Sequence, residues 1–365
     1  MNYYLLVVSI LWFVTYSSGQ DAWQLGPFIK QDDVNPTLHP RNDTFFLCPI
    51  QGRPIAWEEK DVFNPTALVK DGLLHLLYRA EDTVGTHFGT SRIGLAISTD
   101  GLTFTRLTTP IFYPADDAAL PAEWDGGCED PRIVESPTGT YFMTYTAYNG
   151  DMARLFVASS PDLLTWTKHG PAFGPQYVNM SSKAGAIVTR LVGERFVAER
   201  INGFYWMYFG DTNAFIATSS DLISWSPLTS PDGDPDKYNL TMVLRPRPGY
   251  FDSRLNEPGP QAVIRDGVDG ILLIYNGMNY NETMGGDPNI PEDTYSAGQA
   301  LFNASNPIQL ISRTEEYFMT PDKPYEEVGQ VGNVVFLEGL VRYKGAWFLY
   351  YGTADSKIAV AKTDA

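Results

Sequence analysis

The sequence predicts an all-β fold, a five-bladed β-propeller, on two observations. A segment ending in Tyr occurs five times at a spacing of roughly 70 residues, a period expected of repeat architectures. Each copy also lies between two further strand-like segments. The copies are GLLHLLYRAED (72–82), GTYFMTYTAYNG (139–150), GFYWMYFGD (203–211), GILLIYNGMN (270–279) and GAWFLYYGTAD (345–355). Their tyrosines are Tyr78, Tyr145, Tyr208, Tyr275 and Tyr351.

Each copy begins with Gly, suited to a turn, and continues with large apolar and aromatic residues that fit a packed, pleated surface. The preceding strands are expected in FNPTALV (63–69), EDPRIVE (129–135), AGAIVTRL (184–191), GPQAVIR (259–265) and EGLVRY (338–343). The following ones are IGLAIS (93–98), LFVASS (155–160), AFIATSS (214–220), AGQALF (297–302) and KIAVAK (357–362). Beyond these, Asp100, Asp162 and Asp221 each precede an aromatic residue by four positions: Phe104, Trp166 and Trp225. About four short antiparallel strands per repeat is the pattern of a propeller blade. A long two-sheet sandwich, the alternative, has no reason to repeat one strand triplet at a near-constant period.

The 365 residues carry 43 acidic and 26 basic side chains, a formal charge of −17. No basic stripe is available to neutralise phosphates, which argues against a nucleic-acid partner. The run Leu5 to Val14, followed by Ser17, Ser18 and Gly19, reads as a signal peptide over 1–19, although a positively charged start is missing. That run falls short of the ~20 residues needed to span a bilayer, so stable membrane insertion is not expected. The expected product is a secreted protein whose single catalytic domain covers 20–365. Asn42, Asn179, Asn239, Asn281 and Asn303 begin glycosylation sequons and agree with export. Cys48 and Cys128 form either one disulfide or a buried free pair.

The sequence has no HExxH, Cys/His metal cluster, GxSxG elbow or phosphate loop, and no metal or cofactor is expected. If the blades converge on one channel mouth, Glu81, Asp82, Glu129, Asp130, Asp211, Glu257, Glu338 and Asp355 flank it. Paired carboxylates suit glycosidic bond cleavage, one donating a proton and the other activating water or attacking directly. The same residue types also describe a sugar-binding pocket without catalysis.

WDGGCEDPRI (124–133), with FNPTALV, YRAED, SRIGLA, KAGAIV, EPGPQAV, LLIYNG and WFLYYGTADSKIAVA in order along the chain, resembles glycoside hydrolase family 130. The resemblance implies a five-bladed propeller acting on β-mannosides, as a phosphorylase or a hydrolase. It implies that Asp130 contacts the mannose 3-hydroxyl. The phosphorylases' YHG segment reads Tyr275-Asn276-Gly277 here, and loss of that His counts against phosphorolysis. SRIGLA, GGCEDPRI and EPGP are most similar to the β-1,2-mannosidase branch, which places an inverting carboxylate pair at the positions of Asp211 and Glu257. Asp211 departs from that branch, where Glu is the commoner residue.

The resulting expectation is a secreted inverting hydrolase of β-linked mannosides, with Asp211, Glu257 and Asp130 catalytic. Asn64, Arg79, Asp82, Arg92, Arg132, Lys183, Asn276 and Asp355 are expected to bind substrate. A β-mannoside phosphorylase and a non-catalytic mannan-binding propeller are the alternatives. The stretch from Asn279 to Thr294, with Gly285, Gly286, Pro288 and Pro291, is expected to be a mobile loop beside the mouth.

Overall fold

A computed structural model describes residues 21–83 and 89–363. The expected signal peptide lies outside the described residues. The fold is all-β: the α-helices among these residues are the single turns Leu120–Glu123 and Pro324–Glu327. Each of the five Tyr segments is a strand, and each lies in an antiparallel run with neighbours on both sides.

The first run is Asp61–Lys70, Leu73–Glu81, Ser91–Ser98 and Thr105–Arg106. The second is Gly127–Glu135, Tyr141–Tyr148, Ala153–Ser160 and Thr167–Pro171. Ala186–Val192, Phe204–Phe209, Ala214–Ser219 and Trp225–Pro227 follow as the third. In the fourth, Leu255–Pro258 and Ala262–Ile264 both pair with Gly270–Met278, which continues to Tyr295–Asn303 and Asn306–Arg313. The fifth is Val335–Tyr343, Ala346–Thr353 and Lys357–Thr363, and its fourth strand comes from the other end of the chain, Ile29–Lys30. Parallel contacts such as Ser91↔Gly127 and Val188↔Ala262 bridge neighbouring runs.

The Tyr strands are buried on both faces, which is why their sequences show continuous apolar stretches in place of alternation. Apolar clusters sit between consecutive runs. One holds Leu77 and Ile93 against Tyr145 and Phe156, another Val157 against Met207 and Phe215, and a third Ile216 against Leu273 and Phe302. The largest joins Ile274, Leu349 and Val360 to Leu76 of the first run.

The repeated Tyr has a defined task in four of the five runs. Its hydroxyl donates to a buried carboxylate: Tyr78 to Glu58 and Tyr145 to Glu123, each at 2.8 Å, Tyr275 to Asp252 at 2.8 Å and Tyr351 to Glu326 at 2.9 Å. A cation from the fourth strand then pairs with that carboxylate: Arg106, Lys168, Arg313 and Lys30 respectively. Tyr208 departs from the pattern and donates to the Pro307 carbonyl. Gly94 is required beside Tyr78, because a Cβ there would lie 2.5 Å from the ring.

Breaking a buried pair strands a charge, typically at a cost of 3–5 kcal/mol. Lys30→Met should therefore lower stability by about 3 kcal/mol, read in denaturant unfolding, since Glu326 is fully buried. Asp322→Asn, at the exposed second partner of Lys30, should change it by less than ~0.5 kcal/mol.

The three expected Asp loops share one turn. Asp100, Asp162 and Asp221 each accept two backbone N–H groups through Oδ1, and the Ser two residues earlier donates to the same Asp. Cys48 and Cys128 are both free and buried, so the disulfide alternative fails.

Candidate functional site

Polar side chains gather where the first strands of the runs begin. The pairing register shifts between Phe63 and Pro65, Glu129 and Arg132, and Leu337 and Gly339. Such bulges re-aim a side chain out of the ladder, and here they lift Asn64, Asp130 and Glu338. Asn64 and Asp130 take left-handed backbone, with φ of 46° and 48°. Pro65 and Pro131 follow them, where the missing N–H suits an interrupted ladder.

Asp130 is held from two sides. Its Oδ1 accepts from Asn64 Nδ2 at 2.9 Å and from Arg79 Nη1 at 3.2 Å. Arg79 also donates to Glu81 at 2.7 Å and Glu129 at 2.9 Å, and its guanidinium lies over the Phe63 ring. Burial raises the Asp130 carboxyl, but Arg79, Lys183 and Arg132 outweigh it and hold the group below its ordinary value. Glu129 moves the other way, pushed by burial to about 7 against the pull of Arg79. Asp355, in left-handed backbone after the fifth Tyr strand, is likewise pushed by burial to about 7 with Arg79 opposing.

Lys183 and Glu257 head the third and fourth runs and meet at 3.4 Å between Nζ and Oε2. Glu257 is 1 % exposed, and its Oε1 is buried without a hydrogen bond. Burial pushes its carboxyl to about 7, with Lys183 and Arg132 pulling it down. Asp211 stands in the turn after the third Tyr strand, half-buried. That turn is fastened on both sides: Gly210 N–H donates to Lys183 O, and Asn256 N–H to Thr212 O, each at 2.9 Å. Asp211 thus sits between the Lys183 and Glu257 strand heads, and its charge acts on both groups.

Other expected substrate-binding residues have structural partners. Arg92 is fully buried; it pairs with Asp82 at 2.6 Å and packs over the Phe46 ring, toward the hairpin of Phe46–Cys48 and Arg53–Ile55. Asp82 also accepts the Thr90 N–H. Asn276 uses both ends of its amide on the Leu337 backbone, at 3.1 and 2.8 Å, and fastens the fourth run to the fifth. Arg132 donates to the carbonyls of Gly259 and Pro258 at 2.7 and 2.8 Å.

The structure adds three groups to the cluster. Glu129 and Glu338 were legible as mouth carboxylates but had no assigned role. Glu338 is fully buried and lies 3.1 Å from Arg132, and burial pushes its carboxyl well above the ordinary value. Tyr295 gave no sequence signal because it follows the long loop. Burial raises its phenol, and Glu257, Lys183 and Asp355 act on it electrostatically.

The 279–294 loop is held by contacts at several points. Buried Asn279 donates to the Asp287 and Ile290 carbonyls and accepts from Ser253 Oγ and Asp287 N–H. Arg254 pairs with Asp293 and covers the Tyr280 ring.

Carboxylates and cations from several strand heads thus converge into one candidate active site. The chain belongs to glycoside hydrolase family 130: the family's profile, described as beta-1,4-mannooligosaccharide phosphorylase, matches residues 40–365. A 1,2-beta-oligomannan phosphorylase from Thermoanaerobacter sp. (strain X514) is 31% identical over 84% of this chain and 90% of its own length. Among solved structures, a putative glycosidase from Bacteroides thetaiotaomicron VPI-5482 is 45% identical, with a TM-score of 0.88 over 92% of this chain and 96% of that one. Another is 43% identical, with a TM-score of 0.90 over 95% and 96%. It was reported with the finding that this family of mannoside phosphorylases contains glycoside hydrolases that target beta-1,2 mannosidic linkages in Candida mannan.

Proposed function

We propose that this chain is a secreted five-bladed propeller hydrolase that cleaves β-1,2-linked mannosides with inversion. The blade reading is supported by the closed cycle of apolar clusters, which passes from the first run to the fifth and back. Residues 20–365 then form one catalytic domain preceded by a signal peptide.

One observation favours hydrolysis over phosphorolysis: the guanidinium groups at the strand heads are committed. Arg79 serves Glu81, Glu129 and Asp130, and Arg132 holds two carbonyls and lies against Glu338; Lys183, 30 % exposed, has only the 3.4 Å ion-pair contact with Glu257. A phosphate site needs cations whose donors face the anion. Glu257, able to hold a proton near neutrality, suits the general acid, and the less enclosed Asp211 suits the base for water. Asp130, ionised and oriented by Asn64 and Arg79, positions the sugar. Asp355, Tyr295 and Glu129 complete the wall.

The phosphorylase reading is favoured by the names of curated relatives, including a beta-1,2-mannobiose phosphorylase 30% identical over 87% of this chain. Incubating the protein with β-1,2-mannobiose, with and without inorganic phosphate, separates the readings. Mannose at equal rates in both is expected. Mannose 1-phosphate formed only with phosphate would establish the phosphorylase, and binding without turnover a lectin.

A further inference from the structure

Arg132 joins three strand heads. Its Nε and Nη2 hold the carbonyls of Gly259 and Pro258, the two residues after Glu257. Its Nη1 donates to the Asp130 carbonyl at 3.3 Å and makes an ion-pair contact at 3.1 Å with Glu338 Oε1, although neither Glu338 oxygen accepts a hydrogen bond in this geometry. The guanidinium is 2 % exposed and Glu338 is fully buried, so neither exchanges its partner for water.

Glu338 is raised by the bulge between Leu337 and Gly339, on a strand whose head is fastened to the fourth run by the Asn276 amide. Asp130 Oδ1 is taken by Asn64 and Arg79, and Glu257 Oε2 faces Lys183. Among the described residues, Glu338 is the carboxylate that lies within ion-pair distance of Arg132. Without it, that nitrogen would retain the long bond to the Asp130 carbonyl, and the fork would be free to tilt away from Pro258 and Gly259.

We propose that Glu338 is a positioning residue: it fixes the Arg132 guanidinium, whose grip on the Pro258 and Gly259 carbonyls sets where the Glu257 carboxyl points. This rests on the reading of Glu257 as catalytic. A small displacement of a catalytic group costs rate more than substrate affinity when the sugar is held elsewhere.

The test measures kcat and KM for β-1,2-mannobiose, with and without phosphate, alongside melting temperature. Glu338→Leu fills a similar volume but offers no acceptor; kcat should fall at least ~10-fold with KM within about twofold. Glu338→Gln keeps an oxygen for Nη1 and should recover most of kcat. Unchanged kcat in Glu338→Leu, or equal loss in the Leu and Gln variants, would overturn the proposal. Should the Leu variant not fold, Glu338→Asp withdraws the carboxyl by roughly 1.5 Å; a severalfold fall in kcat supports the role and wild-type kcat overturns it. Glu257→Gln is run in parallel. If that variant is fully active, the catalytic reading of Glu257 fails and this proposal with it; if it is inactive while Glu338→Leu is unaffected, the positioning role alone fails.

Discussion

Glu257→Gln should lower turnover of β-1,2-mannobiose by roughly 10²-fold or more, because the amide keeps the size of the carboxyl but cannot exchange a proton. Near-normal turnover in this variant would remove Glu257 from the mechanism. The same substitution has a second readout in stability. The folded carboxyl is pushed to about 7, above the ordinary value of 4.5. Between those values the folded state binds more protons than the unfolded one, so stability is fully present below about 4.5 and is lost as pH rises through about 7. Glu129 and Asp355, also pushed to about 7, add to the same slope. Chemical denaturation from pH 4.5 to 8 should show stability declining in the wild type and declining less steeply in Glu257→Gln. Identical slopes would mean that burial does not raise this carboxyl.

Asp211 supplies the second large effect. As the base, its loss in Asp211→Asn should abolish most turnover, whereas Asp211→Glu should leave substantial activity. The longer side chain extends the carboxylate by roughly 1.5 Å into the gap it shares with Glu257 and Lys183. A turn-capping Asp would give the reverse order, since Asn satisfies similar turn geometry. Both variants are to be assayed on one mannoside with melting as the control for folding. An active Asn variant would leave Glu257 without its partner and favour the phosphorylase or lectin reading.

The strands were legible because both faces of each Tyr segment are packed, giving apolar runs that recur with the repeat. The three Asp turns were legible for a local reason: side chain and backbone donors lie within a few residues. The carboxylates of the site were legible as a set, since they border strand ends, but their partners were not. Arg132 and Glu338 lie far apart in sequence and meet only across strand heads. Arg92 has partners that its sequence position did not show: it sits one residue after Ser91, whose hydroxyl accepts from Arg79, and strand alternation turns its own side chain toward Asp82 and Phe46. Asn276, expected to bind sugar, gives one donor and one acceptor of its amide to the Leu337 backbone. No pattern of residue types distinguishes those two uses.

The pairing of Ile29–Lys30 with Lys357–Thr363 makes the order of synthesis matter. Four runs take all their strands from contiguous stretches and can assemble as the chain emerges, but the fifth waits for its last strand before Ile29 and Lys30 have anything to join. Until then Glu326 lacks the ammonium supplied from 296 residues upstream, and the apolar cluster that holds Leu76 together with Leu349 and Val360 is incomplete. Closure is thus a single late event with a large loop to gather. A nascent chain stalled short of its final strand would present an open, apolar flank, the state in which a chaperone or a protease would find it.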